Sequence, residues 1–209
     1  MTDSSSFATT ILDLLRLPLR WIYRISQFVR GLMAHVAPDE MLAVVESLPK
    51  AAVALFVEMP LDAQRHSLNV LYALRKQAKR QGQPLDPSLA AAGLLHDVGK
   101  IAAGQAGRGI HLWLRGPLVL AEAVAPGIMG RYADGTPESG WRYLLHVHLD
   151  HPAIGAEMAA KAGCDELTCW LIAQHQETPQ SIGHSGSRFA QDDHAIALLS
   201  ALRRADQRN

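Results

Sequence analysis

Apolar residues recur along this chain at offsets of three, four and seven, the spacing of helices that bury one face. Leu89, Ala92 and Leu95 form one such stripe, behind an Asp86 that can cap the helix and a Pro87 that suits its first turn. Gly99 is the expected stop. Upstream, Pro38-Asp39-Glu40 reads as a helix start, and the apolar positions from Met41 to Met59 are broken at Pro49. Pro60-Leu61-Asp62 opens a further helix, with His66, Val70, Ala73 and Leu74 on one face. Gln77 to Gln83 reads as a basic, polar turn. Ile101 to Trp141 is punctuated by glycine and proline and predicts short helices and long loops. Pro152 predicts the first turn of a helix ending near Gly163, which sets His151 at its mouth. His146 and His148 have the spacing of a strand or an exposed helical segment and suit surface or structural roles. Asp165 opens a helix in which Leu167, Leu171 and Ile172 lead to His175, and a polar loop runs on to Arg188. The last helix starts near Asp192 or Asp193 and carries Ala195, Leu198, Leu199, Leu202 and Asp206 on one face. The pattern predicts an all-α chain: a helical bundle over residues 38–209, with an amphipathic helical appendage over residues 1–37.

That appendage is apolar from Ile11 to Met33, but Asp13, Arg16, Arg20, Arg24 and Arg30 interrupt it, so it falls short of the ~20 apolar residues of a membrane span. No small-residue cleavage pattern closes it as a signal peptide. Arg16, Arg20 and Arg24 form a basic stripe, and two readings stay open. The helix docks on its own domain or a second copy of the chain, or it lies on an anionic membrane surface. The 209 residues are 48% hydrophobic and 19% charged, which suits one globular domain with an added segment. A formal net charge of +0 gives no bulk electrostatic reason to bind nucleic acid. The two cysteines, Cys164 and Cys169, lack a metal-type spacing and fit a reducing cytoplasm as inert thiols; peripheral membrane association would come from residues 11–33.

The chemistry lies in polar residues that interrupt apolar faces. His96-Asp97 closes an alanine- and leucine-rich helix, and His66, His151, His175 and Asp206 each sit at a helix end or on an apolar stripe. Any one of these histidines alone is more often a hydrogen-bonded core residue than a ligand. A carboxylate such as Asp206 on an apolar face costs several kcal/mol if buried alone, so pairing, metal coordination or a frayed terminus is expected. Asp62, one turn before His66, is either a helix cap or a neighbour of the same site. Together the set offers the imidazole nitrogens and carboxylate oxygens that divalent first-row ions prefer.

Order, spacing and flanking residues from Leu61 to Asp206 resemble the HD superfamily of metal-dependent phosphohydrolases. Leu94-Leu95-His96-Asp97-Val98-Gly99-Lys100 looks like that family's HD-x-G-K segment, and His151-Pro152-Ala153-Ile154-Gly155-Ala156-Glu157 like its H-P-x-x-G segment. The resemblance implies an HD-like helical bundle in which His66, His96, Asp97 and Asp206 hold one ion. His151 and His175, with Asp97 bridging, would hold a second. The ions implied are Mn, Fe, Co or Ni, with Mg a further candidate. Asp97 and Lys100 would serve catalysis by water activated at the metal, and Lys100 would also contact a phosphate. The substrate implied is a small nucleotide-type phosphomonoester or phosphodiester, not nucleic acid. Of the arginines in the irregular region, Arg115 is the candidate substrate contact. Gln176 follows His175 and no Gly-Tyr-Pro occurs, which departs from the branch that cleaves cyclic dinucleotides. Two alternatives share the pattern: an inactive HD-like scaffold or sensor acting through dimer or membrane contacts, and a di-iron oxygenase on the same fold.

Overall fold

The computed structural model describes residues 35–105, 126–177 and 186–209. Most of the expected appendage, including residues 11–33, lies outside the described residues, as does Arg115. Every regular element among the described residues is helical. No described helix is long and apolar enough to cross a membrane.

Helix α1 (Pro38–Ser47) begins with proline in its first turn, and the Glu40 carboxylate accepts from the Ala37 N–H at 2.9 Å. Pro49 separates it from α2 (Lys50–Glu58), as the pattern requires. Helix α3 (Leu61–Arg80) buries Leu68, Leu71 and Leu74 along one face. It runs through most of the stretch expected to be a turn. Lys79 and Arg80 complement the negative end of the helix, and the chain turns only at Gln81-Gly82, where Gly82 takes φ 66. At the other end Pro60, not Asp62, occupies the cap position.

Helix α4 (Pro87–Leu95) is the centre of the bundle. Every residue from Leu89 to Leu95 is buried, so the helix is covered on all sides, by α3 and by two later helices. Its cap is as predicted: Asp86 accepts from the N–H groups of Ser88 and Leu89 at 2.9 and 3.1 Å. After His96 and Asp97 comes a short 3-10 turn (Val98–Ile101), then α5 (Ala102–Gln105) and α6 (Pro126–Tyr132).

Helix α7 (Trp141–Lys161) corrects the expectation for Pro152. The helix starts eleven residues earlier, after Gly140, and Pro152 lies inside it. His151 is therefore a buried mid-helix residue and does not enter from a loop. Gly99 needs a second correction. Its φ is not positive, and α4 has already ended at Leu95; a Cβ there would lie 2.1 Å from the carbonyl oxygen of His151. Glycine is required because the turn after Asp97 presses against the backbone of α7.

Helix α8 (Glu166–Gln174) is capped by Asp165, which accepts from Thr168 N at 2.8 Å, and buries Leu171 and Ile172. Helix α9 (Asp193–Arg208) is capped by Asp192 and buries Ala195, Leu198, Leu199 and Leu202 against α3, α4 and α8. Being helical through Arg208, it does not fray at Asp206. Cys164 and Cys169 are free thiols on the outer part of the core, and burial pushes Cys164 up to about 11. Neither is poised to ionise.

Candidate metal centre

Six side chains converge where α3, α4, α7, α8 and α9 meet. They fall into two groups of ligand atoms, each close enough to share an ion: His66, His96 and Asp206, and Asp97, His151 and His175. In the first, His66 Nε2 lies 2.9 Å from Asp206 Oδ1, a contact spanning 140 residues of sequence, and His96 Nε2 lies 3.5 Å from the same oxygen. In the second, Asp97 Oδ1 is 3.4 Å from His151 Nε2 and 4.0 Å from His175 Nε2. Asp97 joins them: Oδ1 faces this pair, while Oδ2 lies 3.9 Å from His96 Nε2. The rings stand edge to face, His96 and His175 with centroids 5.3 Å apart.

One local rule positions three of the four histidines. Each uses Nδ1 to bond the carbonyl three residues earlier: His96 to Gly93 at 3.1 Å, His151 to His148 at 2.9 Å, and His175 to Ile172 at 2.8 Å. At the ends of α4 and α8 such carbonyls are available because the helix stops. Inside α7 the acceptor comes from Pro152, which has no N–H to give the carbonyl four residues back, at His148. Nδ1 must donate to a carbonyl, so in the neutral ring Nε2 carries the lone pair. Those three Nε2 atoms are buried and have no hydrogen-bond partner in the protein. Buried polar atoms are rarely left so, and these three, one in the first ligand group and two in the second, fit metal ions.

The electrostatics of the metal-free protein favour the ligand state of most of these groups. Burial would raise Asp97, but Lys100, with Nζ 2.7 Å from Oδ1, and His96 hold it well below the ordinary carboxylate range. Asp206 resists burial in the same way and is lowered by its bond to His66 and by the neighbouring His96. Burial lowers His151, and burial with the neighbouring His96 takes His175 down to about 3. His96 goes the other way, raised against burial by Asp97 and Asp206.

Asp97, expected from the family resemblance to bridge, presents a different oxygen to each group, and one feature of the site has no signal in the sequence: Arg203 of α9 bonds the carbonyls that end α8. His146 and His148 stay outside the cluster. His146 pairs with Asp150 at 2.9 Å one turn along α7, in helix rather than strand, and His148 contributes its carbonyl.

A family model for the HD domain matches residues 64–206, a span that takes in all six converging side chains. The chain belongs to the HD domain family. HD domains form a superfamily of metal-dependent phosphohydrolases that bind divalent ions, and the His and Asp groups of this HD domain are suited to hold them. No curated protein and no solved structure matches the chain.

Proposed function

We propose that this HD domain is a metal-dependent phosphohydrolase that cleaves a small phosphomonoester or phosphodiester, of nucleotide type, with water. His66, His96, Asp97 and Asp206 hold one ion, and Asp97, His151 and His175 hold the second. The observation that carries this reading is the set of three buried Nε2 atoms, each with its tautomer fixed from behind and each lacking a protein partner. A divalent ion bound there supplies an activated water and neutralises charge on the phosphoryl oxygens.

The protein's own groups do the rest. The His151 and His175 side chains are 2% and 1% exposed, whereas His66 and Asp206 are 25% and 31% exposed, so substrate reaches the cluster from the His66 side. Lys100, 29% exposed, is bonded to Asp97 Oδ1. Its ammonium, held beside the cluster by Asp97, would pair with a phosphate oxygen of the substrate. No side chain is needed as a covalent nucleophile.

Elemental analysis of the purified protein beside its Asp97→Ala variant tests this, with a chromogenic phosphodiester, a phosphomonoester and a nucleotide panel run on both. One or two equivalents of transition metal, lost with hydrolysis in the variant, is the expected result. A protein that takes up none of Mn, Fe, Co or Ni and cleaves nothing overturns the proposal and leaves the scaffold reading.

A further inference from the structure

Helix α8 ends at Gln174, and its last carbonyls have no intrahelical donors. Such a turn frays unless something outside the helix holds it. His175 sits at this end with helical backbone, and its ring is anchored to Ile172 O, within the same turn. The anchor is therefore only as firm as the turn. Arg203 supplies the outside hold. From α9 its Nε donates to His175 O at 3.1 Å, and its Nη2 donates to Gln174 O at 2.6 Å and also to Glu177 O. A planar guanidinium can span adjacent carbonyls where a point charge cannot, and its positive charge complements the negative end of α8. The other side of the clamp is fixed independently, since Leu198, Leu199, Leu202 and Ala205 bury α9 in the core. Three residues after Arg203, the same helix carries Asp206 into the other group of ligand atoms.

We infer that Arg203 is a positioning residue that holds the end of α8 so that His175 Nε2 faces Asp97, tying the second ligand group to the helix that carries the first. The inference rests on the metal-site reading proposed above. Arg203 touches neither the reacting atoms nor any ligand atom; it acts through the backbone of residues 174 to 177. Its loss loosens His175 and leaves Asp206 in place.

Two measurements on the full chain test this, with Arg203→Met and Arg203→Lys beside the parent. The first is Mn2+ titration after chelator stripping. In Arg203→Met one of the two sites loses affinity by roughly ten- to hundredfold, as when a support behind a ligand is removed. The other stays within about twofold. Arg203→Lys restores part of the loss by recovering some of the carbonyl bonds. The second is side-chain nitrogen NMR of the metal-free protein, in which the slowly exchanging Nδ1–H of His175 disappears in Arg203→Met while that of His96 persists. Unchanged affinities at both sites with an unchanged His175 signal overturn the inference. If Arg203→Met does not fold, the same two readouts on Arg203→Lys decide. A parent protein that binds no Mn2+ defeats the phosphohydrolase reading instead, and the His175 signal still decides whether Arg203 positions the ring.

Discussion

Pro152 removes a backbone N–H from the middle of α7, and His151 Nδ1 fills the acceptor it leaves at His148. A proline inside a helix costs about 3 kcal/mol. Pro152→Ala returns the N–H, so the metal-free variant melts at a higher temperature. The restored backbone donor also competes with the imidazole for His148 O, and metal affinity falls about tenfold, as for other losses of support behind a ligand. Thermal unfolding of the metal-free protein and a metal titration check the two halves separately. At this scale the converging side chains were legible as candidates in sequence, because His66, His96, His175 and Asp206 interrupt apolar stripes at fixed offsets. The groups behind them were not. Arg203 reads like its solvent-facing neighbour Arg204, and only the packing of α9 against the end of α8 separates their roles.

Between elements, the contact that registers the site is backbone against backbone. Gly99 of the turn after Asp97 meets His151 and Gly155 of α7, so Asp97 and His151 are set at a distance that no side chain can adjust. Gly99→Ala drives a Cβ to 2.1 Å from a carbonyl oxygen and destabilises the fold by about 3 kcal/mol, the upper part of the range for overpacking. Gly155→Ala meets Gly99 N at 3.0 Å and Val98 Cγ1 at 3.2 Å, and costs less. Chemical denaturation of both variants, with the ordering as the readout, tests the contact. Helix starts were legible wherever an aspartate caps, at Asp86, Asp165 and Asp192. The extent of α7 was not, because proline favours a first turn in general and is tolerated inside this helix only through a side-chain bond formed in the fold.

For the whole molecule, the buried charges predict how metal-free stability depends on pH. Unfolded histidines titrate near 6.5. Burial holds His151 and His175 below that value in the fold, so below pH 6.5 unfolding takes up protons and stability falls with pH. His96 is raised, and what it contributes is present below 6.5 and lost as pH rises through its folded value. Asp97 and Asp206, both lowered, contribute above the ordinary carboxylate pKa of about 4 and lose it in stronger acid. Denaturation midpoints of the stripped protein should therefore peak near pH 6.5. Metal requires neutral imidazoles and carboxylates, so loading moves the peak upward. An ion at 100 times its dissociation constant adds about 2.7 kcal/mol, and chelation removes it.

The bond between His66 and Asp206 joins residues 140 positions apart. At about 5–20 residues per second, a ribosome needs on the order of 7 to 28 s to make that much chain. Through that interval His66, and His96 once it is made, have no aspartate from α9 to complete the first ligand group. An ion held by both His66 and Asp206 therefore cannot template the helices that emerge before α9. Those apolar helices would collapse first, and an ion completing that group would be drawn from what the cell offers to a domain already largely folded.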